Sequence, residues 1–181
     1  MLWLMNAPGN RDQWLAQSDD ALLAQCEVDT YRASGPGGQK RNKTSSAVRL
    51  RHGPSGLLVI AEESRSQHEN KARALRRLRK VIALSIRVEL PAEWTPPEVV
   101  AKYLTGAGRL EISTKNEDYP SLVAVILDVV SACKGHMRES AEQFGMTTSQ
   151  LSRFIQRDGK LMDALNQIRR GAGLKVITCE S

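Results

Sequence analysis

Residues 47–62 read AVRLRHGPSGLLVIAE, and this pattern predicts a β-hairpin. Apolar and basic side chains alternate through residues 47–52, as they do in a strand with one buried face. Residues 56–62 are almost entirely apolar and favour a second strand. Between the two, GPSG at 53–56 is a strong turn signal, because glycine and proline supply the backbone angles that tight turns need. We therefore expect two adjacent antiparallel strands.

The segments on either side of this hairpin predict a third strand and a long helix. EVDTYRA, residues 27–33, alternates and contains Val, Thr and Tyr, which favours a strand. Residues 64–90 place apolar side chains on one helical face and arginines on the other, with Ser64 or Ser66 as the N-cap. The apolar face consists of Ala72, Leu75, Leu78, Ile82 and either Ser85 or Ile86. Since this face can cover the sheet, the sequence predicts an α+β fold.

The rest of the chain is predicted to be helical, apart from a proline-rich interruption. Three prolines in residues 90–100 indicate a linker. Helices are expected within 11–26, where Ser18 or Asp19 can act as the cap, and at 121–133, 137–145, 146–158 and 160–171. The predicted domains are an N-terminal segment with a short helix (1–26), the α/β unit (27–90), a proline-rich linker (91–104) and an all-α, helix-turn-helix-like C-terminal domain (105–181).

Positive charge is concentrated in one part of the chain. The net charge is +6, but Arg32 to Arg87 carry 14 lysines and arginines against three acidic residues, whereas the remainder carries 12 basic and 17 acidic residues. A one-sign block of this size is typical of a surface that binds a polyanion such as RNA or DNA. Residues 105–181 hold 10 basic and nine acidic residues, which argues against strong DNA affinity in that half.

Several classes of protein are disfavoured by the sequence. No stretch approaches the roughly 20 apolar residues that span a membrane. Cys26, Cys133 and Cys179 lie far apart and do not cluster with the three histidines, so neither a disulfide framework nor a zinc site is expected. We predict a cytoplasmic protein in a reduced compartment, with no membrane partner, no metal and no cofactor.

Glycines stand directly before the basic residues in SGPGGQKRNKTS, residues 34–45. Glycine lets a backbone approach another molecule closely and point consecutive N–H groups at an anion. The sequence satisfies neither the phosphate-binding pattern G-x-x-x-x-G-K-[ST] nor the dinucleotide pattern G-x-G-x-x-G. Taken alone, the glycines are also consistent with an ordinary surface turn.

The order of short motifs across residues 31–79 resembles the catalytic domain of the class-I peptide chain release factors. The motifs are the Gly-Gly-Gln triplet (37–39), NKT (42–44), SAVRLRH (46–52), the PSG turn (54–56) and RSQHENKA (65–72). The resemblance runs from roughly Asp29 to Arg87. It implies a ribosome-dependent peptidyl-tRNA hydrolase whose GGQ loop enters the peptidyl transferase centre. The implied partners are the rRNA of the large subunit, of the 23S type, and peptidyl-tRNA.

The resemblance also implies roles for individual residues. Gly37 and Gly38 would permit the loop conformation. The backbone N–H of Gln39 would stabilise negative charge that develops on oxygen, and its side chain would order the attacking water. The expected RNA contacts are Arg32, Ser34, Gly35, Lys40, Arg41, Asn42, Lys43, Thr44, Arg65, Gln67 and Lys71.

Other interpretations stay open for these residues. Each basic side chain could be a solvated charge without a specific contact. Asn42 and Thr44 could brace the loop internally, and Gln67 could cap the helix instead of contacting RNA. For the whole chain, the alternatives are a non-catalytic ribosome- or RNA-binding regulator and a sequence-specific DNA binder that uses residues 137–157. The intact triplet favours the enzyme, and the position of the positive charge disfavours the DNA binder.

Full release factors carry a preceding domain that reads stop codons, whereas only about 30 residues precede the motif in this sequence. We therefore expect a likeness to the codon-independent hydrolases that rescue stalled ribosomes, although the near-neutral C-terminal half departs from the basic tail of those proteins. In that half, Arg153 and Arg157 could face nucleic acid, or the helices could form a plain bundle around Leu151, Phe154 and Ile155. We expect this half to bind the ribosome or another factor.

Overall fold

The computed structural model of the protein describes residues 11–32 and 46–178. The chain divides into two compact units, Met1–Ile82 and Ala83–Ser181. In chain order the elements are α1 (Arg11–Ala16), α2 (Asp19–Ala24), β1 (Cys26–Tyr31), β2 (Ala47–His52), β3 (Leu58–Ala61), α3 (Gln67–Ser85), α4 (Glu98–Tyr103), α5 (Tyr119–Ala132), α6 (Met137–Glu142), α7 (Thr148–Gln156) and α8 (Gly159–Gly171). The predicted α+β class is confirmed.

The sheet of the first unit is antiparallel, with the order β1-β2-β3. Tyr31 stands opposite Ala47 at one end of the β1–β2 pair, and Cys26 stands opposite His52 at the other. The predicted hairpin is confirmed, because β2 and β3 pair directly and Gly56 in their turn has a φ of 68°. Glycine suits that position because side chains rarely adopt a positive φ.

The core of the first unit is built from alternate sheet residues and one side of α3. Val48, Leu50, Val59 and Ala61 are buried, and their neighbours on β2 and β3 alternate with them as the sequence pattern predicts. On α3 the buried residues include Leu75, Leu78 and Ile82 from the predicted apolar face, together with Ala74. Ala72 is half-buried and Ser85 is exposed. Trp14, Leu15 and Leu22 of the two N-terminal helices complete this core.

Helix α3 is shorter than its sequence pattern predicts. It begins at Gln67, where the Ser66 hydroxyl accepts a hydrogen bond from the Glu69 amide (3.3 Å), so Ser66 is the cap. It ends at Ser85, five residues before the predicted end. The Val88 amide donates to the Asp128 carboxylate (3.0 Å) rather than to a carbonyl of the helix. The Val88 N–H that another helical turn would use therefore donates to a side chain of α5 instead.

The second unit is a set of helices around α5. Nine of the 14 residues of α5 are buried, so this helix lies in the middle of the core. The Tyr119 hydroxyl donates to Asp158 over 2.9 Å within this core. Leu151, Phe154 and Ile155 of α7 are buried, as expected of a bundle, whereas Arg153 and Arg157 are exposed. Among the described residues, no helix combines the length and apolar character needed to cross a bilayer.

The segment predicted as a linker contains a short helix. Helix α4 covers Glu98–Tyr103, and Pro97 stands at its N-cap. Proline disrupts a helix that would continue through it. It is well tolerated at a helix start, because the backbone N–H that it lacks would have no helical partner there. The non-helical stretch between α3 and α4 is residues 86–97, and the last part of the predicted linker 91–104 includes α4.

Candidate functional site

The predicted site lies at one end of the three-stranded sheet. Because the strands are antiparallel, the end of β1 at Tyr31, the start of β2 at Ala47 and the end of β3 at Ala61 share this end. Residues 33–45, which join β1 to β2, lie outside the described residues. The predicted catalytic residues and part of the predicted RNA contacts fall in that range, namely Gly37, Gly38, Gln39, Ser34, Gly35, Lys40, Arg41, Asn42, Lys43 and Thr44.

The two stems from which this loop departs are held next to each other. Tyr31 and Ala47 are the last register pair of β1 and β2, so the loop begins and ends on adjacent strands. The Tyr31 hydroxyl donates to the Glu62 carboxylate over 3.2 Å, which ties the end of β1 to the segment after β3. Burial and the hydrogen bond to Glu62 raise the pKa of Tyr31 above its ordinary value. Sheet pairing and this side-chain contact together fix the outgoing stem.

Asn70 fixes the returning stem, and the sequence analysis did not single it out. Its side chain is fully buried and donates to the carbonyl oxygens of Ser46 (2.7 Å) and Ser64 (2.8 Å). Its carbonyl oxygen accepts from the Ser64 amide (2.9 Å). One side chain thus joins the residue before β2 to the segment before α3. The sequence does contain a signal that could have identified Asn70, because it is a polar residue one turn into an amphipathic helix, within RSQHENKA.

The remaining predicted RNA contacts surround this braced end of the sheet. Arg32 follows β1 directly, Arg65 lies in the bend before α3, and Gln67 and Lys71 stand four residues apart on the first turns of α3. Residues four apart share a helix face. Arg32, Arg65 and Gln67 are exposed and Lys71 is half-buried. Since Ser66 caps the helix, Gln67 does not perform that role.

The basic residues of the first unit separate into two groups. Within the described residues, no carboxylate pairs with Arg32, Arg65 or Lys71. Three other arginines of α3 are paired, and the pairs are Arg73–Glu69 (3.7 Å), Arg77–Glu63 (2.5 Å) and Arg79–Asp19 (2.5 Å). The hydrogen bond from Arg77 is the main cause that lowers the pKa of Glu63. The charges of the paired group are therefore neutralised within the unit, whereas the unpaired group is available to a polyanion.

The buried histidine of the sheet lies away from the predicted site. His52 lies at the opposite end of the sheet, paired with Cys26. It is fully buried, its Nδ1 lies 2.7 Å from the Ser55 hydroxyl, and its ring meets Trp14 edge-on at 4.9 Å between centroids. Burial lowers the pKa of His52 below its ordinary value of 6.5. In the described ranges, no group of three or more His, Cys, Asp or Glu side chains could hold a metal ion.

Comparison with known proteins connects this arrangement to one family. The model of the RF-1 domain matches residues 22–114, which include the whole sheet, α3 and α4. Peptide chain release factor 1 of Leptothrix cholodnii is 41% identical over 112 residues, covering 59% of this chain and 30% of that protein. Peptide chain release factor 2 of Acidithiobacillus ferrooxidans is 59% identical over 60 residues, covering 33% of this chain and 16% of that protein. The chain spans less than a third of the length of these curated relatives.

Proposed function

The chain belongs to the RF-1 domain family, that of the class-I peptide chain release factors, and on this basis we propose that it hydrolyses the ester of peptidyl-tRNA on the ribosome. The observation that carries the proposal is the Gly37–Gly38–Gln39 triplet, which belongs to the segment that joins adjacent strands at Tyr31 and Ala47. Buried hydrogen bonds of Asn70 brace the returning stem. A catalytic loop gains from such support, because small displacements of reacting groups cost large factors in rate.

The proposed reaction adds water across the ester. The water oxygen forms a bond to the carbonyl carbon, and negative charge develops on the carbonyl oxygen. The bond from that carbon to the ribose oxygen of the tRNA then breaks, and a proton from water ends on the released ribose oxygen. The backbone N–H of Gln39 stabilises the negative charge, while Gly37 and Gly38 permit the required backbone path. The Gln39 side chain helps to order the attacking water.

The unpaired cations at the loop base supply the attraction to RNA. Arg32, Arg65 and Lys71 lie near the stems without a carboxylate partner among the described residues, so they can pair with phosphates of large-subunit rRNA. Together with the loop residues 40–44, they would guide the triplet toward the peptidyl-tRNA. This role places the protein in the cytoplasm, where ribosomes work.

We extend the proposal to codon-independent release that rescues stalled ribosomes. The matched range 22–114 contains the candidate catalytic loop, whereas helices α5 to α8 follow it as a separate helical set. In the proposed function, helices α5 to α8 contribute to ribosome binding and do not recognise a codon.

A release assay on defined ribosome complexes tests both levels of the proposal. Ribosomes carrying labelled peptidyl-tRNA are prepared with an empty A site, a stop codon or a sense codon, and the freed peptide is measured. Release in all three complexes supports codon-independent hydrolysis, and release only at stop codons supports hydrolysis but contradicts the extension. Tight ribosome binding without release from any complex would leave a non-catalytic binding protein.

A further inference from the structure

Three exposed arginines meet around one hollow in the helical unit. Arg109, Arg153 and Arg157 line an open hollow of about 150 Å³, together with Leu110, Gln150 and Phe154. Leu110 and Phe154 are buried, so they provide an apolar floor beneath the charged rim. The site lies mostly beyond the range 22–114 that matches the RF-1 domain, since α7 follows that range.

The guanidinium groups of this cluster are not neutralised by neighbouring carboxylates. In the described parts of the chain, the ion pairs of the second unit involve other residues, such as Lys102 with Asp118 and Arg138 with Glu142. Three like charges that converge without counter-ions repel one another, so the arrangement gains when an anion enters. Arginine also presents a planar fork of donors that matches phosphate oxygens.

The local structure builds the cluster from two segments. Arg153 lies on α7, and Arg157 follows four residues later as the C-cap with helical backbone angles, so the two share a helix face with Gln150. Arg109 comes from a tight loop that is closed by the Leu104–Leu110 bridge and by the hydrogen bond from the Thr105 amide to the Arg109 carbonyl (2.9 Å).

Gln150 fastens that loop to α7. Its side-chain amide donates to the Ala107 carbonyl (2.7 Å), while its carbonyl oxygen accepts from the Thr147 amide (2.8 Å) in the capping box of α7. Gly108 has a φ of 71°, and a Cβ there would lie 3.2 Å from the Gln150 side chain, so the close approach requires glycine. The position of Arg109 beside α7 is therefore fixed by specific contacts.

We propose that Arg109, Arg153 and Arg157 form a second RNA-contacting site that binds backbone phosphates. The choice of RNA over other polyanions rests on the proposed ribosomal function, because RNA phosphates are the anions that surround a protein on the ribosome. The site is small and local, which is consistent with the nearly balanced charge of residues 105–181. The phosphates could belong to tRNA or to the rRNA of either subunit, and binding experiments separate these sources.

The test compares two triple variants of the full chain that lose the same charge. The first is Arg109→Ala/Arg153→Ala/Arg157→Ala. The control is Arg138→Ala/Arg170→Ala/Lys175→Ala, which removes exposed basic residues that do not line the hollow. Binding is measured to tRNA, to protein-free rRNA from each subunit and to the intact subunits, over a series of salt concentrations. Thermal unfolding of both variants checks that the fold is kept.

We expect the first variant to bind at least one of the protein-free RNAs about tenfold more weakly. The slope of log affinity against log salt concentration should become less steep by about two. The control variant should keep the affinity and salt slope of the unaltered chain. A triple Arg→Lys variant should retain most of the binding, since lysine also pairs with phosphate. Equal binding by both alanine variants would overturn the proposal, as would a loss seen only with intact subunits, which would indicate a protein contact.

Failure of this inference can be told apart from failure of the proposed function. If the unaltered chain releases peptide but the first variant binds every RNA normally, the hydrolase stands and the second site does not. If the unaltered chain releases no peptide while the first variant loses RNA affinity, the second site stands as an RNA-binding site and the hydrolase does not.

Discussion

Asn70 shows how much a single buried amide can hold in place. Its three hydrogen bonds satisfy backbone groups from two segments, namely the carbonyl of Ser46 and the carbonyl and amide of Ser64. Leaving buried carbonyl and amide groups unsatisfied costs more than a hydrogen bond contributes on average. The residue therefore links the stability of the unit to the position of the loop stem.

We predict that Asn70→Ala lowers the free energy of unfolding by about 2 to 3 kcal/mol, measured by urea denaturation. His68→Ala is the matched control, because His68 is an exposed neighbour on the same helix turn, and its effect should stay within about 0.5 kcal/mol. Similar losses from both substitutions would contradict the bracing role. Peptide release should also fall in Asn70→Ala at temperatures where the variant is still folded.

In the proposed mechanism, the backbone and the side chain of Gln39 make separable contributions. Gln39→Pro removes the backbone N–H and should abolish peptide release, whereas Gln39→Ala keeps that donor and should reduce release less. Loss of one such donor typically costs about 100- to 1,000-fold in rate. Release rates from saturated ribosome complexes measure both effects. Equal loss from the two substitutions would assign the effect to the side chain.

His52 predicts a specific pH dependence of stability. Burial lowers the pKa of the folded ring below 6.5, so the neutral form is favoured in the folded protein. The unfolded chain consequently binds more protons below about pH 6.5, and the free energy of unfolding should fall as the pH falls through that range. Urea denaturation at pH 7.5 and 5.5 measures this change. An NMR titration that gave His52 a pKa at or above 6.5 would contradict it.

At the scale of elements, α3 and the bend before it carry two groups of basic residues. One group is paired with carboxylates, and in the proposed function the unpaired group contacts RNA. The sequence shows only that arginines populate the polar face of the helix. Which of them are neutralised depends on where Glu63 and Asp19 lie in the fold, and periodicity along one helix does not contain that information.

This division predicts opposite outcomes for two double variants. Arg65→Ala/Lys71→Ala should weaken ribosome binding and reduce the salt slope by about one for each phosphate that is no longer neutralised, with little change in stability. Arg73→Ala/Arg77→Ala removes the same charge but breaks two exposed ion pairs, so it should lower the free energy of unfolding by about 1 kcal/mol in total and change binding less. Ribosome pelleting at several salt concentrations, together with urea denaturation, measures both. Indistinguishable variants would contradict the division.

Elements with strong local signals were predicted well from the sequence. The observed strand β2 has the predicted bounds, and the predicted turn after it contains Gly56, which has a positive φ. Boundaries that depend on distant contacts were not predictable. The end of α3 is the clearest case, because the Val88 amide donates a hydrogen bond to Asp128, which lies 40 residues away in the sequence. For the candidate site, the sequence analysis singled out Arg32, Arg65, Gln67 and Lys71, whose RNA contacts stay predictions. It did not single out Asn70, whose importance lies in a contact with Ser46.

At the scale of the whole molecule, the two compact units differ in charge and composition. The first contains most of the basic block and most of the range that matches the family model, and the second is helical and nearly balanced in charge. Each has its own buried core, and each presents arginines without carboxylate partners among the described residues. In the proposed function, the first unit carries the chemistry and the second adds a separate contact with RNA.

The way in which α3 ends has a consequence for biosynthesis. A nascent chain exposes α3 before residue 128 has been translated, and at that stage the Val88 amide has no carboxylate to bind. We expect the growing helix to run past Ser85 and to unwind there once α5 has emerged. The contact with Asp128 would then set the final length of this helix, and the last turn would be lost only late in synthesis.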